Sequence, residues 1–481
     1  MDTKLTRFIR RGAWLALLAA APLQAGVTVL HGFDYADGEY PIGRVLVGQD
    51  GRIYGTTNAG GTGGLGTVFA VSTSKVHTIL HSFQGPDGQQ LDAGLVQRAD
   101  GTIFGTTPQG TVTVGHVVTS FGGTAFSLAP DGSGFSTLHS LAGNGQSEGR
   151  EPGQLVDGGD GFLYGAMRYG GSAGSSGYGT VFKLAPDGTV TTLYEFTPAS
   201  GIYPDRQFSI GSDGRLYGAL QYGPGVLANG ALFTINRDGS GYTVLHQFSG
   251  SDGSAPSGAF AELGGVFYGV TGGGGANGGG TVFRMTPGGT VSTLYAFNGS
   301  DGGSPVGPLV AGPDGRLYGM GFGGGSGGGT IFRLSTSGEF LTLHRLVSFD
   351  GTHPVSGPVM DAAGMLYGST TQYGGGSLAT GSVFQFDALV PQPAGLAIDK
   401  HCRNEFDTCF TPINTWVGVP YDVFWSSENL NSCIASGAWR GAKPSGGRIT
   451  VTPTRPGIFT YRLFCSGPGG RKSAAVTVTV G

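Results

Sequence analysis

The sequence predicts an all-β fold of repeated units, and three recurring markers carry that prediction. A glycine-flanked aromatic recurs as Ile53-Tyr54-Gly55, Ile103-Phe104-Gly105, Leu163-Tyr164-Gly165, Leu216-Tyr217-Gly218, Phe267-Tyr268-Gly269, Leu317-Tyr318-Gly319 and Leu366-Tyr367-Gly368. A run of Thr-Val-Phe type ends at Phe69, Phe126, Phe182, Phe233, Phe283, Phe332 and Phe384. A run of Thr-Leu-His-x-Phe type ends at Phe33, Phe83, Leu141, Phe196, Phe248, Phe297 and Leu346. Each marker occurs seven times, at a spacing of about 50 residues, which is the size of one propeller blade.

Composition separates order from disorder. Of 481 residues, 96 are Gly and 25 are Pro, a level that without a period indicates low complexity. The chain is nevertheless 38% hydrophobic and 11% aromatic, more than a solvated coil carries. The glycines must therefore serve recurring turns. Charged residues make up only 12% and the net charge is -4. That excludes the clustered Lys and Arg of a nucleic-acid footprint.

Residues 1–25 read as a secretory signal: Lys4, Arg7, Arg10 and Arg11 precede an apolar run over residues 13–21, with a cut expected after Ala25. The run is too short to span a bilayer, which takes about 20 residues, and no later run is long and apolar enough. A secreted or cell-surface location is expected. The mature chain then opens with a lone strand of the third type at residues 27–33, while the repeats end on a strand of the second type at residues 382–386. These ends predict that the first strand pairs into the last sheet and closes a ring, which removes exposed sheet edges.

Each unit contains four short β-type runs, in the fourth at residues 207–210, 215–220, 231–235 and 242–248. Asp50-Gly51, Asp100-Gly101, Asp213-Gly214 and Asp314-Gly315 join the first run to the second. Asp-Gly predicts a two-residue hairpin turn with both residues at positive φ. Four antiparallel strands per unit define a propeller blade. The expected fold is a seven-bladed β-propeller over residues 26–388, closed by the N-terminal strand.

Residues 389–395, containing Val390-Pro391-Gln392-Pro393, read as a short stiff linker. Residues 396–481 form a separate unit holding Cys402, Cys409, Cys433 and Cys465. An even cysteine count in an exported chain favours disulfides, and the spacing lacks the paired knuckles of a zinc site. Four cysteines allow three connectivities.

The pattern D-G-x-L-Y-G, a Gly-Gly stretch and G-T-V-F across residues 314–332 resembles the GloVer tandem repeat of exported bacterial proteins. The resemblance covers about residues 27–386. It implies an exported, repetitive, propeller-like protein with variable C-terminal modules or surface anchors and no established activity. The second unit departs from the pattern, since residues 111–122 replace the Gly-Gly stretch with a β-rich insert. The segment from Trp425 to Trp439 resembles bacterial Ig-like modules, which implies a small β-sandwich with Cys433 paired to Cys465 across two strands. Cys402 with Cys409 would then clip a short local loop.

Candidate chemistry is sparse. His31, His81, His139, His246 and His344 share one repeat position with Tyr194 and Tyr295. The position falls once per blade on the outermost strand, so the rings spread around the perimeter, and packing against a neighbouring blade is expected. His77, His116, His353 and His401 form no motif. Asp37, Asp87, Asp252 and Asp301 precede Gly in the loops leading into the blades; they suit an Asx-type turn, with calcium as the weaker alternative. No other cofactor is expected. Glu39, Glu148, Arg150, Glu151, Asp205 and Arg206 break the repeat on that rim, where a glycosidase pair would lie.

The loops after four Tyr-Gly strands present Tyr169, Tyr222, Phe322 and Tyr373. Aromatics on a low-charge, Gly-rich rim suit stacking on sugar rings. The expected function is therefore non-catalytic binding of polysaccharide or another neutral surface polymer. The rivals are a propeller glycoside hydrolase or lyase, and a purely structural envelope or matrix component.

Overall fold

The computed structural model describes residues 26–114, 117–141, 148–172, 177–299, 301–324, 327–374, 380–389, 395–402, 414–415, 417, 421–428, 432–443, 446–467 and 470–480. The expected signal segment, residues 390–394 of the linker and Cys409 lie outside the described residues. Residues 28–387 form seven antiparallel sheets of four or five strands in a propeller-like arrangement. No helix occurs among the described residues, and none is long and apolar enough to cross a membrane.

The fourth unit illustrates the sheet. Leu216–Tyr222 pairs with Ala231–Ile235, which pairs with Thr243–Gln247. The inner edge is broken, because Ile202–Pro204 and Ser209–Ile210 are separate segments that both pair with Leu216–Tyr222. The ladder is interrupted over residues 205–208, so the inner edge comprises two segments; in the sixth unit the inner strand Gly303–Ala311 is continuous, with a register shift between Val306 and Val310. In the second unit the β-rich insert is a hairpin of Gly110–Val114 and Val117–Phe121.

One cross-strand pair explains the Tyr-Gly and Thr-Val-Phe markers together. Gly55, Gly105, Gly165, Gly218, Gly269, Gly319 and Gly368 sit opposite Phe69, Phe126, Phe182, Phe233, Phe283, Phe332 and Phe384. The phenylalanine ring lies over the glycine: a Cβ on Gly218 would stand 2.7 Å from Cζ of Phe233 and 2.8 Å from Cε1 of Phe208. Tyr217, by contrast, donates its hydroxyl to Asp213 Oδ2 at 2.7 Å, and Tyr54, Tyr164 and Tyr318 bond Asp50, Asp160 and Asp314 in the same way.

The Asp-Gly turns differ from expectation. Gly51, Gly101, Gly214 and Gly315 take positive φ while the aspartates do not. Gly214 N donates to Gly211 O at 2.8 Å and Gly211 N to Arg215 O at 2.9 Å, so the connection is a three-residue loop with the glycine as bulge. The aspartate is freed to accept from Arg215 N at 3.0 Å and from the tyrosine.

Consecutive units are latched by one recurring hydrogen bond. Tyr40, Gln90, Glu151, Tyr203, Ala255, Ser304 and His353 all hold positive φ, between 46° and 61°. Each donates its N–H to the preceding unit: Gln90 to Leu65 O at 3.0 Å, Glu151 to Gly122 O at 3.0 Å, Tyr203 to Tyr178 O at 2.8 Å, Ala255 to Asn229 O at 3.2 Å, Ser304 to Gly279 O at 2.8 Å and His353 to Gly328 O at 2.9 Å. Tyr40 donates to Thr380 O at 2.9 Å, which joins the first unit to the last. Thr28–Gly32 also pairs antiparallel with Ser382–Asp387, from Thr28 opposite Gln385 to Gly32 opposite Ser382. The core is divided accordingly. Leu216, Leu220 and Phe233 pack towards the third unit, whereas Tyr217, Ala219 and Leu232 pack towards the fifth. Leu30, Val45, Ile53, Tyr367 and Val383 pack the last unit on the first.

The C-terminal strands form two further sheets, one of three strands and one of five. Their described core centres on Val423, Trp439, Tyr461, Leu463 and Val478, with Trp439 Nε1 donating to Arg462 O at 2.9 Å. Cys433 and Cys465 form a disulfide between residues directly opposite on neighbouring strands. It therefore ties one sheet, and does not bridge the two. Cys402 lies in Gly395–Cys402, but its expected pairing with Cys409 falls outside the described residues.

Two substitutions test these constraints. Gly218→Ala drives a methyl into Phe233 and Phe208, so urea denaturation is expected to report a loss of about 2–3 kcal/mol. Ala255→Gly has the opposite sign to an ordinary Ala→Gly change: the exposed methyl buries nothing, and relief of the left-handed backbone should stabilise the protein by about 0.5–1 kcal/mol.

Candidate functional site

The repeated histidines are packing residues with one polar tip. His31, His81, His246 and His344 bond Asp37, Asp87, Asp252 and Asp350 at 2.7–2.8 Å through Nε2, and His139 bonds Glu148 at 3.0 Å. Tyr295 makes the same contact with Asp301. The ring faces stack on the neighbouring unit, His81 on Phe135 with centroids 3.5 Å apart and Tyr194 on Tyr242 at 4.3 Å. Oδ1 of Asp37, Asp87 and Asp252 accepts the N–H of Asp34, Gln84 and Ser249. The loop aspartates thus close a turn and hold a ring, with both oxygens engaged. Burial pushes these three carboxyls up, but the histidine and backbone bonds outweigh it and hold them below the usual range.

One junction differs. His77, which the sequence left without a motif, stacks on His31 at 3.9 Å with ring planes 5° apart, and its Nδ1 lies 4.0 Å from Asp37 Oδ2. His31, Asp37 and His77 have ligand atoms close enough to consider one metal ion. The stacked planes keep the in-plane lone pairs parallel, however, so the two rings do not converge on an ion as they stand.

The rim offers a more developed site between the third, fourth and fifth units. Tyr169 and Tyr222 end the strands Leu163–Tyr169 and Leu216–Tyr222, and the structure brings them together through Tyr203. Tyr203 meets Tyr169 edge-on at 5.1 Å and Tyr222 at 6.1 Å. Sequence reading missed Tyr203; its signal was the side chain before Pro204 at the latch position. Phe322 lies farther round, 40% exposed and 4.9 Å from His353, while Tyr373 is 47% exposed at φ 57°. Arg150 and Arg168 lie over the Tyr169 ring at 4.7 and 5.6 Å.

Beside this cluster is a cavity of about 400 Å³, bordered by Arg168, Tyr203, Arg206, Gln207 and Gln221 and by the inner segments of the following units. Arg168 donates to Gln221 Oε1 at 2.9 Å and Arg206 contacts Asp92 Oδ2 at 2.6 Å. Gln207 Oε1, Asp92 Oδ1 and Arg150 Nε are buried without a hydrogen-bond partner among the described residues. Such atoms call for water or ligand. Two of the carboxylates considered for glycosidic chemistry are engaged: Glu148 holds His139, and Asp205 accepts from Arg206 N and Gly258 N. Burial raises the Asp205 carboxyl against these bonds.

The fold and rim define a propeller-like repeat protein. The family model of the Gloeobacter/Verrucomicrobia repeat matches residues 16–173, 110–270 and 210–390. The chain belongs to that repeat family. No curated protein matches it. Among solved structures it is similar to the extracellular domain of the hybrid two-component system BT3049 from B. thetaiotaomicron, with 10% identity and a TM-score of 0.51, covering 94% of this chain and 57% of that one. It is also similar to PorZ, a surface component of the type-IX secretion system of Porphyromonas gingivalis, with 12% identity and a TM-score of 0.46, covering 93% and 60%. The chain spans less than two thirds of either.

His77 makes the junction of first and last units sensitive to acid. Burial, reinforced by the neighbouring His31, depresses its folded pKa to about 4 from 6.5. The unfolded chain then binds the extra proton between these values, so this contribution to stability is full above pH 6.5 and declines as pH falls towards 4. Phenylalanine stands at the corresponding stack on His81. His77→Phe should flatten the stability profile between pH 6.5 and 4 in pH-stepped urea denaturation; an unchanged slope would refute the assignment.

Proposed function

We propose that the seven sheets form a closed seven-bladed propeller joined to an Ig-like sandwich, and that the chain is an exported, non-catalytic protein binding polysaccharide through one propeller rim. Closure is supported by the latch from Tyr40 to Thr380, which repeats the other six junction bonds, and by the pairing of Thr28–Gly32 with Ser382–Asp387. Export is supported by the basic and apolar pattern of residues 1–25 and by the Cys433–Cys465 disulfide, a bond of oxidising compartments. The extracellular origin of the BT3049 domain agrees with it. The sandwich reading rests on two adjacent β-sheets sharing one apolar core.

A single observation carries the binding function: half-buried Tyr203 borders a cavity and is met edge-on by Tyr169 and Tyr222, which makes a cluster of three aromatic rings beside it. Flat apolar faces with polar tips suit sugar rings, and backbone and amide groups beside them supply hydrogen bonds. Phe322 and Tyr373 extend the aromatic rim towards later units. A net charge of -4 disfavours a nucleic-acid partner.

A glycan array probed with the secreted form tests this. Saturable binding is expected to one polysaccharide class, and Tyr169→Ala with Tyr222→Ala should weaken it by about tenfold or more. A blank array favours a structural component, and release of reducing ends from a polysaccharide panel favours an enzyme.

A further inference from the structure

We infer that the rim cavity takes a carboxylate-bearing sugar, so that the polymer bound is an acidic, uronate-containing polysaccharide. This rests on the polysaccharide reading above and narrows it. The chain is poor in cations, with 27 Lys and Arg in 481 residues, yet three guanidinium groups gather here. Arg150 and Arg168 lie over Tyr169, and Arg168 and Arg206 border the cavity.

Arg168 is the group placed for the ligand. Its plane is steadied by the Tyr169 ring and by Gln221 Oε1 at 2.9 Å. That amide occupies one N–H of a fork able to hold a carboxylate through two parallel bonds. Arg206 is committed to Asp92 at 2.6 Å and shapes the wall. The other acids here are Asp205, whose oxygens accept the N–H groups of Arg206 and Gly258, and the latch residue Glu151.

The remaining surroundings match a sugar ring. Tyr203 borders the cavity with Arg168 and supplies an apolar face, and Gln207 Oε1 is a buried acceptor without a partner among the described residues, suited to a hydroxyl. A volume of about 400 Å³ falls within the range of small-ligand sites, about 300–1,000 Å³. The chain as a whole is negative, so its net charge repels a polyanion, and any preference for one must arise locally.

The test is calorimetric titration of the full secreted chain with polygalacturonate and alginate, each beside its methyl-esterified form, and with dextran sulfate. The free acids are expected to bind about tenfold tighter than the esters. Arg168→Gln should reduce that preference to near unity with an unchanged melting temperature, while Arg168→Lys should recover only part of it. Equal affinity for acid and ester overturns the inference but leaves the polysaccharide reading standing. Preference for dextran sulfate, unmoved by Arg168→Gln, overturns it in favour of diffuse attraction. Binding to none of these polymers also overturns it, and the glycan array then decides separately whether the broader reading falls.

Discussion

A phenylalanine ring resting on a glycine of the paired strand is the contact on which this architecture depends. It occurs in all seven units, and at Gly218 the ring closes the space that a methyl would need. The glycine removes a side chain from the centre of the sheet and the ring refills that volume from the next strand. Each sheet can then pack both faces on neighbours, as the opposite orientations of Leu216 and Tyr217 require. No sheet has a core of its own. Its apolar residues are buried only by the units on either side, as expected for repeat proteins.

The fold was legible because its strongest contacts recur in register. Seven copies of Tyr-Gly, of Val-Phe and of the His strand gave the sheets, and the displaced strand at residues 27–33 gave the pairing with Ser382–Asp387. Local turn geometry was less legible. Asp-Gly suggested two left-handed residues, whereas the aspartate is held otherwise by its bonds to Arg215 N and Tyr217. The latch was hidden for a related reason: tyrosine, glutamine, alanine and histidine do not advertise positive φ. The strain is tolerated because each residue's N–H meets a carbonyl of the preceding unit.

The site was half legible. Tyr169 and Tyr222 stood out as aromatics in Gly-rich loops, but the ring that joins them, Tyr203, belongs to a different structural class, the latch position before Pro204. Arg150 and Arg206 were visible as breaks in the repeat, whereas Arg168, one residue before Tyr169, was not. Likewise His77 had no motif because its stacking position is filled by different aromatics, Phe135, Tyr242 and Phe340, in other units. Sequence periodicity reports what all units share. Function on such a scaffold lies in what single units do differently, and that needs three-dimensional neighbours.

The pairing of Thr28–Gly32 with Ser382–Asp387 has a bearing on biosynthesis. Thr28–Gly32 has no partner until the final sheet has emerged, so synthesis cannot complete this domain as it proceeds. Joining ends so distant along the chain carries a loop-closure cost that grows only slowly with length, and waiting is therefore more a matter of time than of energy. During that interval the seventh sheet has an uncovered edge, and a foreign strand could occupy it.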